Sequence, residues 1–186
     1  MPATRASRRQ SRLDSSAGAG VYCFAGLDPA LTTMGKPDKP IFTIGYEGAS
    51  VEAFLQTLQE AEVALVLDIR AAPVSRKRGF SKHQLAAHLA EAGIGYRHFR
   101  WLGTPKRGRE AARAGDIKGF ERIFREHLGE PEALLDLAEA LALARQQAVC
   151  LLCLERDPEH CHRLIVAERM ARESGQELRH LFAIAR

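Results

Sequence analysis

Residues 151–163 read LLCLERDPEHCHR and hold two cysteines, two histidines, two arginines and three acids, directly after an apolar run. Side chains of these types support several chemistries. A thiol beside an imidazole can attack an electrophile, cysteine with histidine can hold a soft cation, and arginines at a helix start can cradle an anion. The bland reading is a turn capped by Asp157 and Pro158, salt-bridged outside, with Cys161 and His162 packed inside. A turn needs the Asp and the Pro but not two cysteines, two histidines and two arginines, so a functional cleft is expected here.

Spacing narrows the choice. Cys153 lies at the exit of the apolar run, and Cys161 with His162 falls in the first turns of a following helix, where free amides lower a thiol's pKa and draw anions. Asp157 and Glu159 oppose that field while Arg156 and Arg163 restore it, so its sign stays open. Cys150 and Cys153 stand three apart on a strand and point to opposite faces, which makes them neither a metal pair nor a redox pair; Cys150 is read as core. Cys153, Cys161, His160 and His162 are zinc-type donors, but seven residues separate the cysteines where structural sites use two to four, and no matched second pair exists. No metal and no cofactor is expected. The sixth residue after Cys153 is Glu159 rather than an arginine, so the phosphate loop of cysteine-dependent phosphatases is not written here.

Other chemistry-bearing residues fall where apolar runs end. The first run delivers Gly45, Tyr46 and Glu47, the second Asp68 and Arg70, and the third His98 and Arg100. In open parallel sheets ligands bind beyond the carboxyl ends of the strands, so these sets are expected to converge with Cys153 and Glu155 in one hollow. The expected catalytic residues are Asp68, Cys153, Glu155, Cys161 and His162, with Asp68 or Glu155 as acid or base and Cys153 or Cys161 as a nucleophile activated by His162 or His98. Gly45, Tyr46, Arg70, Ser75, Arg76, Arg78, His98 and Arg163 are the expected anion-binding set. Four of the candidate residues have a plainer role beside the functional one: Asp68 orienting Arg70 or capping a loop amide, Ser75 forming a turn, His98 as a polar strand end, Tyr46 covering the core's edge.

The elements that must position these groups alternate along the chain. Strands are predicted over 41–45, 63–69, 94–99, 148–154 and 177–183. Helices are predicted from Ser50 to about Ala61, from a Ser81–Gln84 capping box to Gly93, over 116–128, from Pro131 to about Gln146, and from the Asp157–Pro158 pair onward. Residues 101–110, WLGTPKRGRE, read as a basic loop. This alternation predicts an α/β three-layer sandwich, a mostly parallel sheet of about five strands with helices on both faces. The domain is placed at 41–186, and residues 1–40, rich in Arg, Ser, Ala and Gly, read as a disordered basic extension. Met34 offers an alternative start of translation.

The 186 residues are 46% hydrophobic and 27% charged, in the range of ordinary globular domains. Absence of a long apolar run and of a secretory leader predicts a cytoplasmic protein with no membrane partner, and four cysteines are read as reduced thiols. The formal charge of +4 hides segregation: residues 70–113 carry eleven basic side chains against only Glu91 and Glu110. An anionic small molecule or nucleic acid is the expected partner; oligomeric state is not set by composition.

Four ordered motifs, TIGYEG (43–48), LVLDIRAAPVSRKRGFSK (65–82), YRHF with LGTPK (96–106) and LLCLERDPEHCHR (151–163), resemble the domain-of-unknown-function family 488 over about 41–183. The resemblance implies a small intracellular α/β three-layer domain without an assigned activity. It marks Gly45, Asp68, Arg70, Pro73, Ser75, Phe80, Cys153, Glu155, Cys161, His162 and Arg163. Two functions are expected to compete: an enzyme acting on an anionic, phosphate-bearing substrate, and a non-catalytic nucleic-acid or protein binding module in which the basic 70–113 segment meets phosphates while Phe80, Tyr96, Phe99 and Trp101 meet bases.

Overall fold

The computed structural model describes residues 39–183; the extension read over 1–40 lies outside them apart from its last two positions. Five strands, β1 (Ile41–Gly45), β2 (Leu65–Asp68), β3 (Gly95–His98), β4 (Val149–Cys153) and β5 (Leu178–Phe182), form one sheet in the order β3-β2-β4-β1-β5. Every pairing is parallel. Six helices connect them: α1 (Val51–Glu60), α2 (Lys82–Glu91), α3 (Lys106–Arg113), α4 (Ile117–His127), α5 (Pro131–Gln146) and α6 (His162–Ser174). The expected three-layer α/β sandwich is therefore the observed one.

Side-chain alternation divides the core between the two faces of the sheet. Ile41, Leu65, Leu67, Val149 and Leu151 pack with Phe124, Leu137, Leu141, Val166 and Met170, so α4, α5 and α6 cover one face. Phe42, Ile44, Val66, Cys150 and Leu152 pack with Phe54, Leu58, Leu85 and Leu89, so α1 and α2 cover the other. Central β4 is buried at all five positions, which is why VCLLC carries no polar alternation.

Helix ends follow local chemistry. Ser50 Oγ accepts from the Ala53 amide at 3.1 Å and starts α1. Ser50→Ala is expected to lower the unfolding free energy by about 1 kcal/mol, measurable by urea denaturation. Asp116 caps α4 through the Gly119 amide, 2.9 Å away. Ser81 departs from the expected capping box: it makes no side-chain cap bond, and its hydroxyl instead joins the amide and carbonyl of Ser75, each at 3.2 Å, while Gln84 accepts from the Gly79 amide at 3.1 Å. Both side chains thus hold the 75–81 loop rather than the helix start.

Two further expectations are corrected. Residues 101–110 are no simple loop: Arg100–Leu102 form a 3-10 turn, and α3 begins at Lys106. Only Gly108 of α3 is buried, so the helix lacks the apolar stripe by which a helix is recognised. Asp157 does not cap α6. Its side chain accepts from the Glu159 amide and starts a 3-10 turn, Pro158–His160, after which the extended Cys161 caps α6.

Candidate functional site

The site grows from the exit of β4. Gly45 ends β1 opposite Cys153, and the chain beyond Cys153 crosses so close that a Cβ on Gly45 would lie 1.8 Å from the Glu155 carbonyl oxygen. The loop is held in that position by the Glu47 amide donating to the Leu154 carbonyl at 2.9 Å and the Arg156 amide donating to the Glu47 carboxylate at 3.1 Å. From α6, the buried Arg163 guanidinium donates to the carbonyls of Glu155 and of Arg156, the latter at 2.8 Å. Arg163 therefore clamps the loop with the donors expected to meet an anion.

Fixed in this way, the Glu155 carboxylate faces two thiols. Its Oε2 accepts from Cys153 Sγ and from Cys161 Sγ, both at 3.0 Å. His162 completes the group, with Nδ1 at 3.6 Å from Cys153 Sγ and 3.9 Å from Cys161 Sγ. Its Nε2 lies 3.0 Å from the Ile69 carbonyl, and its ring meets Phe124 edge-on at 5.2 Å. Cys153, Cys161 and His162 are all buried. The donor atoms of these three side chains lie within 4.8 Å of one another, so the 3-10 turn gathers sulfurs that chain spacing sets apart.

The electrostatics follow from burial and from these contacts. Burial raises the Cys161 thiol well above its ordinary pKa and the neighbouring Cys153 adds to that, with His162 opposing only in part. Burial alone would raise Glu155, but hydrogen bonds from the Cys161 and Cys153 thiols outweigh it and hold the carboxyl below its usual value. For His162 burial acts to lower the pKa, and Cys161, the Ile69 carbonyl and Glu155 more than offset it, so the imidazole is raised. Cys150 stands apart: it packs on the α1–α2 side, and burial drives its thiol far up.

The structure does not bring Asp68 and Arg70 into this cluster. Asp68 is register-paired with Leu152, and both side chains turn to the α1–α2 face, away from Cys153. There Arg70 donates through Nε to Asp68 Oδ1 at 2.8 Å and through Nη2 to Oδ2 at 2.6 Å. Arg70 Nη1 reaches Tyr46 Oη at 3.1 Å and the Phe80 carbonyl at 2.9 Å, and Tyr96 Oη donates to Asp68 Oδ2 at 2.6 Å. Burial works against the Arg70 charge, yet Asp68 outweighs it and the guanidinium pKa is raised. Burial, then Asp68, raises the Tyr96 phenol. The connection to the thiols is by backbone, since Ile69, whose carbonyl receives His162, sits between Asp68 and Arg70.

The other expected anion-binding residues are dispersed. Ser75 forms a turn with its hydroxyl accepting from the Lys77 amide at 3.1 Å, and His98 Nε2 donates to the Arg70 carbonyl at 2.8 Å. Arg76 and Arg78 are exposed on the same loop. Phe80 and Phe99 are buried and leave Trp101 as the exposed member of the aromatic set expected to meet bases.

A cleft of about 680 Å³ opens against Glu155, Cys161 and His162 and runs to Arg109, Arg113 and Phe120. Sequence reading missed Arg109 and Arg113, because α3 was taken for a loop and its arginines merged into the basic segment. It also missed the Ile69 carbonyl, which no residue type announces. Among the described residues no helix is long and apolar enough to cross a membrane.

A family model described as domain of unknown function DUF488 matches residues 50–170. Comparison with curated proteins and with solved structures gives no match. The matched region carries the Asp68–Arg70 pair, the loop after β4 and the cluster of thiols and imidazole, and this chain belongs to the DUF488 family.

Proposed function

We propose that this protein is an enzyme acting on an anionic, phosphate-bearing substrate, with Cys153, Glu155, Cys161 and His162 as its reacting centre. One observation carries the reading. The Ile69 carbonyl can only accept, so His162 Nε2 carries the hydrogen of their 3.0 Å bond, and Nδ1 is the ring nitrogen left to exchange a proton with the two sulfurs. A tautomer assigned by the backbone, at the end of a cleft, is more than packing requires.

The cleft gives the substrate its orientation. Arg109 and Arg113 line it from α3, where they are the charged lining residues, whereas α4 brings both Glu121 and Arg125, the 3-10 turn Glu159 and α6 Glu168. A substrate anion is therefore drawn to the α3 wall, and the bond to be broken extends toward Cys161.

Turnover of para-nitrophenyl phosphate, nucleoside monophosphates and short oligonucleotides tests this. Cys161→Ser is expected to lower the rate on the accepted substrate by about 100-fold or more, with the thermal midpoint nearly unchanged. Turnover that survives this substitution would remove the cluster from the chemistry. Oligonucleotide binding that falls steeply with salt and leaves the strand intact would instead make the basic 70–113 segment, with exposed Arg76, Arg78 and Trp101, the working surface of a binding module.

A further inference from the structure

We infer that Cys153, Cys161, His162 and Glu155 form a binding site for a zinc-class divalent cation. The inference goes beyond the enzyme reading and stands without it, since a coordinated ion is consistent with either a catalytic or a purely structural centre.

Distances carry the first part of the case. A tetrahedral ion with bonds of about 2.3 Å to sulfur and about 2.05 Å to nitrogen sets sulfur and nitrogen ~3.6 Å apart along an edge of the tetrahedron. The two edges from His162 Nδ1 measure 3.6 Å to Cys153 Sγ and 3.9 Å to Cys161 Sγ. Glu155 Oε2, 3.0 Å from each sulfur, now accepts from both thiols and must move outward toward the ~3.6 Å sulfur–oxygen edge to serve as the fourth donor once the thiol protons leave. Both nitrogen–sulfur separations are thus close to a tetrahedral edge, and the three donor atoms all lie within 4.8 Å of one another.

Orientation carries the second part. Ligating histidines almost always donate their other ring N–H to a carbonyl or carboxylate, which fixes the tautomer and raises ligand basicity. His162 does so to Ile69, and the Asp68–Arg70 pair on either side of Ile69 holds that carbonyl in place. Cys161, the N-cap of α6, receives the Arg163 amide at 3.5 Å, a donor suited to a thiolate. The set is soft, two sulfurs with one imidazole and one carboxylate, which selects zinc over magnesium or calcium.

Accessibility carries the third. Glu155, Cys161 and His162 line the cleft, so an ion entering it meets three of the four donors directly. On binding, each sulfur exchanges its proton for a bond to the ion, and two protons leave to solvent.

The test uses the full chain, reduced and stripped with a chelator, then titrated with Co²⁺ alone. One equivalent is expected to produce the intense visible bands of tetrahedral cobalt together with sulfur-to-cobalt charge transfer, and Zn²⁺ should displace it. Cys153→Ser and Cys161→Ser are each expected to weaken binding by more than about 100-fold, while Cys150→Ala, on the opposite face, keeps the spectrum. Because a variant can fail to fold, Zn²⁺ is also expected to raise the thermal midpoint of the wild-type chain, a shift that needs no variant. Absence of stoichiometric cobalt or zinc in the reduced wild-type protein, or an unchanged spectrum in Cys161→Ser, overturns the site. Protein that takes up neither cobalt nor zinc and still turns over substrate at full rate overturns the site and leaves the enzyme reading standing. A protein that binds one zinc and turns over none of the phosphate substrates does the reverse.

Discussion

Asp68→Asn is expected to lower the unfolding free energy by about 3–5 kcal/mol, the range for breaking one partner of a buried ion pair. Asp68 is fully buried and Arg70 is 6% exposed, so neither charge has water to fall back on. The carboxylate accepts from the Arg70 amide, from Arg70 Nε and Nη2, and from Tyr96 Oη. An asparagine keeps the shape but leaves the guanidinium uncompensated and turns an N–H₂ toward at least one donor. Chemical denaturation of the two proteins measures the difference. Asp68→Asn with Arg70→Met should recover much of the loss, because removing both charges removes the penalty that removing one creates. Equal stability of Asp68→Asn and wild type would mean that the pair is better solvated than its geometry indicates. The substitution should also weaken metal binding in the folded fraction, since the Ile69 carbonyl that orients His162 sits inside the pair.

Gly45→Ala is the second large effect. The new methyl would stand 1.8 Å from the Glu155 carbonyl oxygen and 2.5 Å from its carbon, both backbone atoms with no rotamer to escape into. Either β1 shifts against β4 or the loop after Cys153 retreats. Retreat breaks the Arg163 clamp and withdraws the Glu155 carboxylate from both thiols. A loss of about 3 kcal/mol is expected by urea denaturation, at the upper end for overpacking because the obstacle is main chain. Wild-type stability in Gly45→Ala would show that the strand exit is looser than described.

The fold was legible because its signals are local. VCLLC carries no polar residue and had to be buried on both faces, and Pro131 and Ser50 mark helix starts that the structure keeps. Alternation along one strand likewise separated Cys150 from Cys153. The same rule applied across strands would have separated Asp68 from Cys153, but it needs the register, and that Asp68 lies opposite Leu152 is a fact of pairing that neither segment contains. Residues at one rim of a sheet can therefore share an edge and still face different layers. Chain spacing failed in the opposite direction at Cys153 and Cys161, where a single 3-10 turn closes the gap of seven residues. Helix α3 is illegible for a third reason: its eight residues KRGREAAR include no apolar side chain larger than alanine and bury only Gly108, so it has no core-facing apolar stripe to read.

The position of β4 between β2 and β1 has a consequence for biogenesis. Ile41 and Leu65, the starts of the first two strands, both take Val149 as their partner, so neither has its inner neighbour until more than a hundred residues of chain have been made. A nascent chain halted before residue 149 leaves both edges of β1 and the inner edge of β2 unpaired, each a template for another chain. Nucleation must wait for the same segment that carries the thiols, and the ribosome releases the sheet's keystone and the candidate centre together.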